Sequence, residues 1–176
     1  MDDRGITYKA HLALTWQPVT IDLSKPDSQI DEHNHVCLQQ ALLLDELTNT
    51  ASEELKSEHS DTIRLEKKLD LVFSLLRTLI THQQQQLPHT DCQISYRHLE
   101  WKDAKAQSVN VGDGLEVSIN IHPLTIQPMR LYGKVTEAGA SSIMIDFGLH
   151  AYPWQDLLEK YLFLQHRRQI AAQRHR

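Results

Sequence analysis

The sequence predicts an α+β fold: a small antiparallel β barrel with two long helices inserted after the first strand and an amphipathic helix at the C-terminus. Three observations lead to this prediction. Apolar and polar residues alternate with a period of two in five segments, one near the N-terminus and the others in the second half. Between them, over about 29–86, the apolar spacing is helical. A last segment after Pro153 is helical in its spacing as well.

The first predicted strand lies between Tyr8 and Trp16, where every second residue is apolar or aromatic. Gln29–Lys56 follows with one apolar stripe typical of an amphipathic helix. Glu58–Asp61 is polar and fits either a turn between two helices or a frayed junction within one broken helix. We interpret the region as two helices.

The second helix is predicted from Ser60 or Asp61 to the mid-eighties, where Pro88 stops it. Its apolar residues follow intervals of four, three, four and three, which is the a/d repeat of a helix that packs along another helix. They are Leu65, Leu69, Val72, Leu76 and Leu79. Further apolar residues widen this face, so a multi-helix bundle fits better than a two-stranded coiled coil. These five residues are the predicted oligomerisation surface.

The remaining strands are predicted in the barrel remainder, about 90–150. Ile94–Trp101 fits one strand, the segment after Asp113-Gly114 has the clearest alternation, and two more segments are joined by a hairpin at Glu137–Ala140. Antiparallel hairpins of this kind close into a small barrel. The C-terminal helix is predicted over 153–173, with Pro153 as its first residue.

Length and composition favour one domain, 1–176, over two independent cores. The formal charge of −5 is spread along the chain, which argues against a nucleic-acid partner and an acidic membrane. The N-terminus does not resemble a secretory signal, and the most apolar stretch is too short to cross a bilayer, so a cytoplasmic protein without membrane insertion is expected. Cys37 and Cys92 are expected as reduced thiols.

No arrangement of residues predicts catalysis, so the protein is expected not to be an enzyme. His33, His35 and Cys37 are close in sequence, but on a helix the middle residue points away from the other two, so no metal site is predicted. The adjacent acids Asp45 and Glu46 are interpreted as part of a solvated helix face. The basic cluster from His166 onward is interpreted as a solvated helix end that complements the helix dipole, in preference to a site for phosphate, a nucleotide or an acidic partner.

Three segments together resemble the PilZ family of cyclic-di-GMP-associated domains, and within it the atypical branch whose inserted helices assemble tetramers. They are Gln93–Trp101; Val111–Val117 with the following Ile121-His122-Pro123 and Pro128–Leu131; and Leu162–Ala171, which is similar to the close of that branch. The order of strand, helical insertion and barrel agrees along nearly the whole chain. The resemblance implies a place in bacterial cyclic-di-GMP signalling.

Standard PilZ domains bind cyclic-di-GMP with an Arg-x-x-x-Arg segment and an [Asp/Asn]-x-[Ser/Ala]-x-x-Gly motif. Ser95 matches the second motif, but Gln93 stands in place of the acid or amide and His98 in place of Gly. The nearest approach to the first motif, Arg64 to Lys68, falls on the predicted second helix and is interpreted as a coincidence. The resemblance therefore implies a degenerate nucleotide site, since arginine forks are suited to phosphate and purine binding.

Two functions follow from these expectations. The first is a non-enzymatic regulatory or adaptor protein that forms a homotetramer, contacts an unidentified protein partner and binds cyclic-di-GMP weakly or not at all. The alternative is a true cyclic-di-GMP receptor with a non-standard arginine set. Its ligand-binding candidates are Ser95, Arg97, Arg167 and Arg168. No other cofactor is predicted.

Overall fold

The structure, a computed structural model, describes residues 6–20, 27–50, 60–84, 87–125, 127–148 and 152–174. These residues form six β-strands and three α-helices. In chain order they are β1 (Tyr8–Pro18), α1 (Ser28–Thr50), α2 (Ser60–Gln84), β2 (His89–Ile94), β3 (His98–Lys102), β4 (Gly114–Ile119), β5 (Met129–Ala138), β6 (Ser142–Asp146) and α3 (Gln155–Arg174). Residues 51–59, which include the predicted end of the first helix and most of the predicted junction, lie outside the described residues.

The six strands form a closed antiparallel barrel in the order β1-β2-β3-β6-β5-β4, which confirms the predicted barrel. The long strand β1 closes it. Its first half pairs with β2, from Tyr8 opposite Ile94, and its second half pairs with β4, from Leu14 opposite Ile119. Closure gives every strand a neighbour on both sides, so the sheet of the described residues offers no open edge to another chain.

The barrel core consists of the inward-facing residues of all six strands, because alternate residues of a strand point to the same face. Helix α3 contributes Leu158, Tyr161 and Leu162 to this core. The Tyr161 hydroxyl donates a 2.6 Å hydrogen bond to the carbonyl of Ile121. This contact fixes α3 against the connection that follows β4.

The prediction of one strand over Ile94–Trp101 is wrong. The structure has two strands there, because β2 ends at Ile94, β3 begins at His98, and the chain reverses between them. The buried apolar residues shift from even positions, Cys92 and Ile94, to odd positions, Leu99 and Trp101, so the alternation changes phase across the reversal.

Helix α1 is anchored to the barrel by side chains near its N-terminus. The Asn34 amide is fully buried; its Nδ2 donates to the carbonyl of Arg130 at 2.8 Å, and its Oδ1 accepts from the Arg130 N–H at 2.9 Å. Nε2 of His33 lies 2.8 Å from the carbonyl oxygen of Pro128. Helix α1 is thereby joined to the start of β5 through that strand's own backbone groups.

The interpretation of Asp45 as a solvated acid is wrong. Its side chain is only 6% exposed, and it pairs with Arg168 while accepting a 2.9 Å hydrogen bond from Gln165 Nε2. Buried carboxylates need such partners, since burial of an unpaired charge is costly. Asp45 lies four residues after the buried Ala41 and therefore on the buried face of α1.

Candidate functional site

The turn between β2 and β3 holds the predicted motif residue Ser95, which is buried. The Ser95 hydroxyl oxygen lies 2.9 Å from the backbone nitrogen of His98 and 3.3 Å from that of Arg97, and it accepts from both. The Ser95 N–H donates to the His98 carbonyl at 2.8 Å. The hydroxyl therefore closes the turn, which is a common role for serine in tight turns.

Arg97 lies at the same turn and forms a two-pronged ion pair with Asp146 at the end of β6. Its Nε is 3.0 Å from both carboxylate oxygens, and its Nη2 is 2.8 Å from Oδ2. The Gly148 N–H donates a further bond to Asp146 at 2.8 Å. Burial alone would raise the pKa of Asp146, but the bonds from Arg97 and Gly148 and the Arg97 charge outweigh it and hold that pKa below its usual value.

Gly148 allows this ion pair to form. A Cβ atom at Gly148 would lie 2.3 Å from Cγ of Arg97, so the arginine stem crosses the glycine at a distance that no other residue permits. The guanidinium is held by this packing as well as by its charge.

Little space remains at the turn. A cavity lined by Gln93, Ser95, His98 and three neighbours has a volume of about 10 Å³. That volume is close to the minimum that holds one water molecule, and it is far too small to enclose a purine. His98 and Gln93, the two positions at which the sequence departs from the standard motif, both line this cavity.

A wider groove crosses the outer surface of β1, β2 and β3 beside the turn. It has a volume of about 480 Å³, and its charged lining residues are Lys9, Glu100, Asp91 and Lys102. Lys102 is already paired with Asp91 at 3.1 Å, and His11 lies 2.9 Å from the same carboxylate. Two lysines thus face two acids, which leaves no excess of positive charge for an anionic ligand.

Arg167 and Arg168, the other predicted ligand-binding residues, lie on α3 and point in different directions. Arg168 forms the ion pair with the buried Asp45 of α1, which corrects its interpretation as part of a solvated helix end. The Arg167 guanidinium lies over the Phe163 ring, 5.6 Å from the ring centroid, and is exposed. The four candidates are thus divided among a turn hydroxyl, two separate ion pairs and one cation-π contact.

The predicted oligomerisation residues belong to a larger exposed set on α2. Seven apolar side chains of this helix are between 48% and 67% exposed: Leu65, Leu69, Leu71, Val72, Phe73, Leu76 and Leu79. We call this set the α2 apolar surface. So much exposed apolar surface on one helix is unusual for a monomer and is typical of an interaction site.

The sequence did not indicate which acidic residues form ion pairs with Arg97 and Arg168. Asp146 is the last residue of β6 and follows the ordinary alternation of that strand, and its pairing with Arg97 joins residues that are 49 positions apart. Asp45 and Arg168 are separated by 123 positions. The only local signal was the position of Asp45 on the buried stripe of α1.

Metal sites and membrane spans are the two remaining kinds of feature. Within the described residues, no group of three His, Cys, Asp or Glu side chains could hold a metal ion, and no helix is long and apolar enough to span a membrane. His33 and Cys37 face each other across one helical turn, whereas His35 contacts Gln39. Burial raises the pKa of Cys92 to about 11 and also raises that of Cys37, so both thiols are protonated near neutral pH.

Comparison with known proteins agrees with the fold. A family model described as "Atypical PilZ domain, cyclic di-GMP receptor" matches residues 38–175. No curated protein matches the chain. Among solved structures, the chain is similar to a tetrameric PilZ domain protein of Xanthomonas campestris that is self-assembled via a helical bundle. The two share 20% sequence identity with a TM-score of 0.64, over 97% of this chain and 93% of that one. The chain belongs to the atypical PilZ domain family.

Proposed function

We propose that this protein is a non-enzymatic regulatory or adaptor protein of bacterial cyclic-di-GMP signalling. It acts through self-association and protein contacts and binds cyclic-di-GMP weakly or not at all. The α2 apolar surface is the observation that carries this proposal. Family membership supplies the signalling context, and the tetrameric PilZ protein of similar fold supports the assembly.

Burial of the α2 apolar surface is the driving force for assembly. Each of its seven side chains is about half exposed, so burial between copies would contribute roughly 1 kcal/mol for each one. The α2 helices of other copies are the simplest partners for this surface, because the a/d spacing of one helix packs against a second helix with the same spacing. Leu71 and Phe73 lie outside the a/d positions and widen the surface beyond a single partner helix. A bundle of four α2 helices, and hence a homotetramer, accounts for this width.

The chemistry of the β2–β3 turn supports weak nucleotide binding. The Ser95 hydroxyl is used to close the turn, and the Arg97 guanidinium is paired with Asp146. A phosphate would have to compete with that carboxylate for the arginine, which costs the ligand most of the energy of a charge-assisted bond. The adjacent groove adds no net positive charge.

Light scattering on the full chain tests assembly. We expect a tetramer for the wild type and a smaller species for a variant with Leu69→Glu and Leu76→Glu, because two carboxylates per chain would have to be buried in the bundle. The matched control carries Ser74→Glu and Arg77→Glu, at exposed positions on the polar side of the helix, one of which already carries a charge. The control should remain tetrameric. A monomeric wild type, or equal masses for both variants, would refute the proposal.

The alternative is a true cyclic-di-GMP receptor with a non-standard arginine set. It is favoured by Arg167, which has no acidic partner among the described residues, and by the presence of a groove beside Gln93. Calorimetric titration with cyclic-di-GMP separates the two functions. We expect no binding in the micromolar range for the wild type. Micromolar binding that disappears with Arg167→Ala or Arg97→Ala would favour the receptor.

A further inference from the structure

One side of helix α3 is exposed along most of the helix. Leu158, Tyr161 and Leu162 are buried on the side that faces the barrel. On the opposite side four exposed residues follow one another at intervals of four, three and four, so they form one row along the helix. They are Phe163, Arg167, Ile170 and Arg174. We call this row the α3 ridge.

The α3 ridge alternates apolar and cationic side chains. Phe163 is 45% exposed and Ile170 is 38% exposed, although both are large hydrophobic residues. Within the described residues, neither Arg167 nor Arg174 forms an ion pair with an acid. The Arg167 guanidinium lies 5.6 Å from the centroid of the Phe163 ring, and this contact holds the arginine along the ridge. The ridge therefore presents two apolar contacts and two uncompensated positive charges.

The positive charge of the ridge is opposite in sign to that of the chain as a whole. The formal net charge is −5, yet no acid follows Glu159 in the sequence. A positive surface on an acidic protein attracts an acidic partner and orients its approach. A solvated helix end needs no exposed apolar residues, whereas aromatic residues and arginine are enriched in protein interfaces. Phe163 and Ile170 therefore favour a docking surface over a helix end that only complements the dipole.

The spacing along the ridge indicates the shape of the partner. Arg167 and Arg174 are about 10 Å apart along the helix axis, so they do not converge on one phosphate group. On one face of an extended strand, side chains two and four residues apart are separated by about 7 and 13 Å, and neither distance matches. In a helix, side chains seven residues apart share a face and are separated by about 10 Å. A helical partner fits the ridge.

The first half of α3 argues against an anionic membrane as the partner. Asp156 and Glu159 are exposed near the start of the helix. Asp156 lies seven residues before Phe163 and therefore on the line of the ridge. If α3 lay flat on an anionic membrane, this carboxylate would approach the lipid phosphates and be repelled. A partner helix that covers only the ridge leaves both acids in water.

We propose that the α3 ridge docks an acidic amphipathic helix of a partner protein. That helix carries carboxylates seven residues apart, alternating with apolar residues. Each carboxylate pairs with one arginine of the ridge, and each apolar residue packs on Phe163 or Ile170. An antiparallel arrangement is favoured because it opposes the two helix dipoles. The proposal rests on the proposed adaptor function, since it names the surface at which a protein partner binds.

A synthetic helix provides the probe. It is a fluorescently labelled, alanine-rich peptide of about 18 residues that carries Glu, Leu, Glu and Leu at intervals of four, three and four. In antiparallel register these residues face Arg174, Ile170, Arg167 and Phe163. Fluorescence anisotropy during titration with the full chain should show saturable binding. A second peptide of the same composition, with Glu and Leu on opposite faces, should bind about tenfold more weakly, because only one kind of contact can form at a time.

Charge reversal on the ridge gives the sharpest comparison. Arg167→Glu with Arg174→Glu should abolish binding of the acidic peptide, because two attractive pairs become repulsive. A peptide with Lys in place of Glu should bind this variant and not the wild type. The matched control carries Lys105→Glu and Lys134→Glu, which change the net charge equally at exposed positions outside α3. The control should bind the acidic peptide as the wild type does.

Several results would overturn the docking site. They are a wild type that does not bind the acidic peptide, equal binding of the two peptides of the same composition, and a ridge variant that the Lys peptide does not bind. Cosedimentation with vesicles that contain phosphatidylglycerol tests the other anionic surface. We expect no cosedimentation of the wild type. Vesicle binding that the ridge variant loses would assign the ridge to a membrane instead.

Light scattering on the same chains separates this docking site from assembly through α2. The ridge variant should have the mass of the wild type, because none of its altered residues belongs to the α2 apolar surface. A monomeric wild type that binds the acidic peptide would refute the assembly and support the docking site. A tetrameric wild type that does not bind the peptide would refute the docking site alone.

Discussion

The β2–β3 turn and the α2 apolar surface differ in whether their side chains find interaction partners within the chain. At the turn, the Ser95 hydroxyl closes the backbone reversal and Arg97 is paired with Asp146. On α2, seven apolar side chains remain about half exposed. Ser95 and Arg97 find their partners within one chain, whereas α2 has apolar surface left for another molecule to cover.

This difference indicates where binding specificity lies in the protein. A substitution at the turn should change stability with little effect on binding, because the groups it removes act within the fold. A substitution on the α2 apolar surface should change association with little effect on the isolated chain, because the side chain it replaces is exposed there. Substitutions in both regions test this separation, from the largest expected effect to the smallest.

The largest effect is expected from Leu69→Glu with Leu76→Glu. Assembly that occurs only in the folded state raises the unfolding temperature as protein concentration rises. We expect this dependence for the wild type and none, or a much weaker one, for the variant. Scanning calorimetry over a wide concentration range measures it. A wild type whose unfolding temperature does not change with concentration would contradict assembly through α2.

The second effect concerns Asn34, which joins the helical region to the barrel. Asn34→Ala removes both hydrogen bonds to Arg130 and leaves that residue's N–H and carbonyl without these partners, so the free energy of unfolding should fall by about 2–4 kcal/mol. Urea denaturation measures this change. Gln40→Ala, an exposed position on the same helix, should change it by less than about 0.5 kcal/mol. Equal effects for the two would mean that Asn34 does not anchor α1.

The third effect is at the turn itself. Ser95→Ala removes the acceptor for the N–H groups of Arg97 and His98, so we expect a loss of about 1–2 kcal/mol in the free energy of unfolding. Ser141→Ala, at an exposed turn position, serves as the control. Light scattering should find the same mass for Ser95→Ala as for the wild type. A change of mass without a loss of stability would reverse the assignment of the two regions.

The barrel and the apolar face of α2 were predictable because their signals are local. A period of two identifies the strands, and a helical spacing identifies the apolar face of α2, without reference to distant parts of the chain. The residues with that spacing are Leu65, Leu69, Val72, Leu76 and Leu79. The reversal at Ser95 was missed although the apolar alternation changes phase there, from Ile94 to Leu99, because a phase shift also fits a bulge within one continuous strand. The ion pair of Arg97 at the β2–β3 turn was even less predictable from the local sequence.

The roles of Arg97 and Arg168 depend on acids that are distant in sequence. Both arginines stand out in the sequence, one beside a motif serine and one in a basic cluster, yet nothing near them indicates that Asp146 and Asp45 neutralise them. A basic residue in a motif position predicts a ligand-binding site only if no acidic side chain of the folded chain pairs with it. That condition is a property of tertiary structure, and the sequence around Arg97 and Arg168 does not report it.

The smallest effect is expected from the pH dependence of His122, which is buried where the chain leaves β4. Burial lowers the pKa of its imidazole from 6.5; Asp45 opposes this, while Arg168 and Arg77 add to it. Nδ1 of His122 accepts a 3.2 Å hydrogen bond from the Leu124 N–H, so protonation of this nitrogen would break that bond.

The sign of the effect follows from this lowered pKa. Well above pH 6.5 the imidazole is neutral in both states and contributes nothing to the pH dependence. Below it the unfolded chain takes up a proton that the folded chain resists, so stability should decrease until the pH reaches the lowered pKa. Urea denaturation between about pH 7 and pH 5 should show a shallower decrease for His122→Gln than for the wild type, with His89→Gln, at an exposed position, as the control. Identical slopes for His122→Gln and the wild type would show that His122 does not limit stability in mild acid.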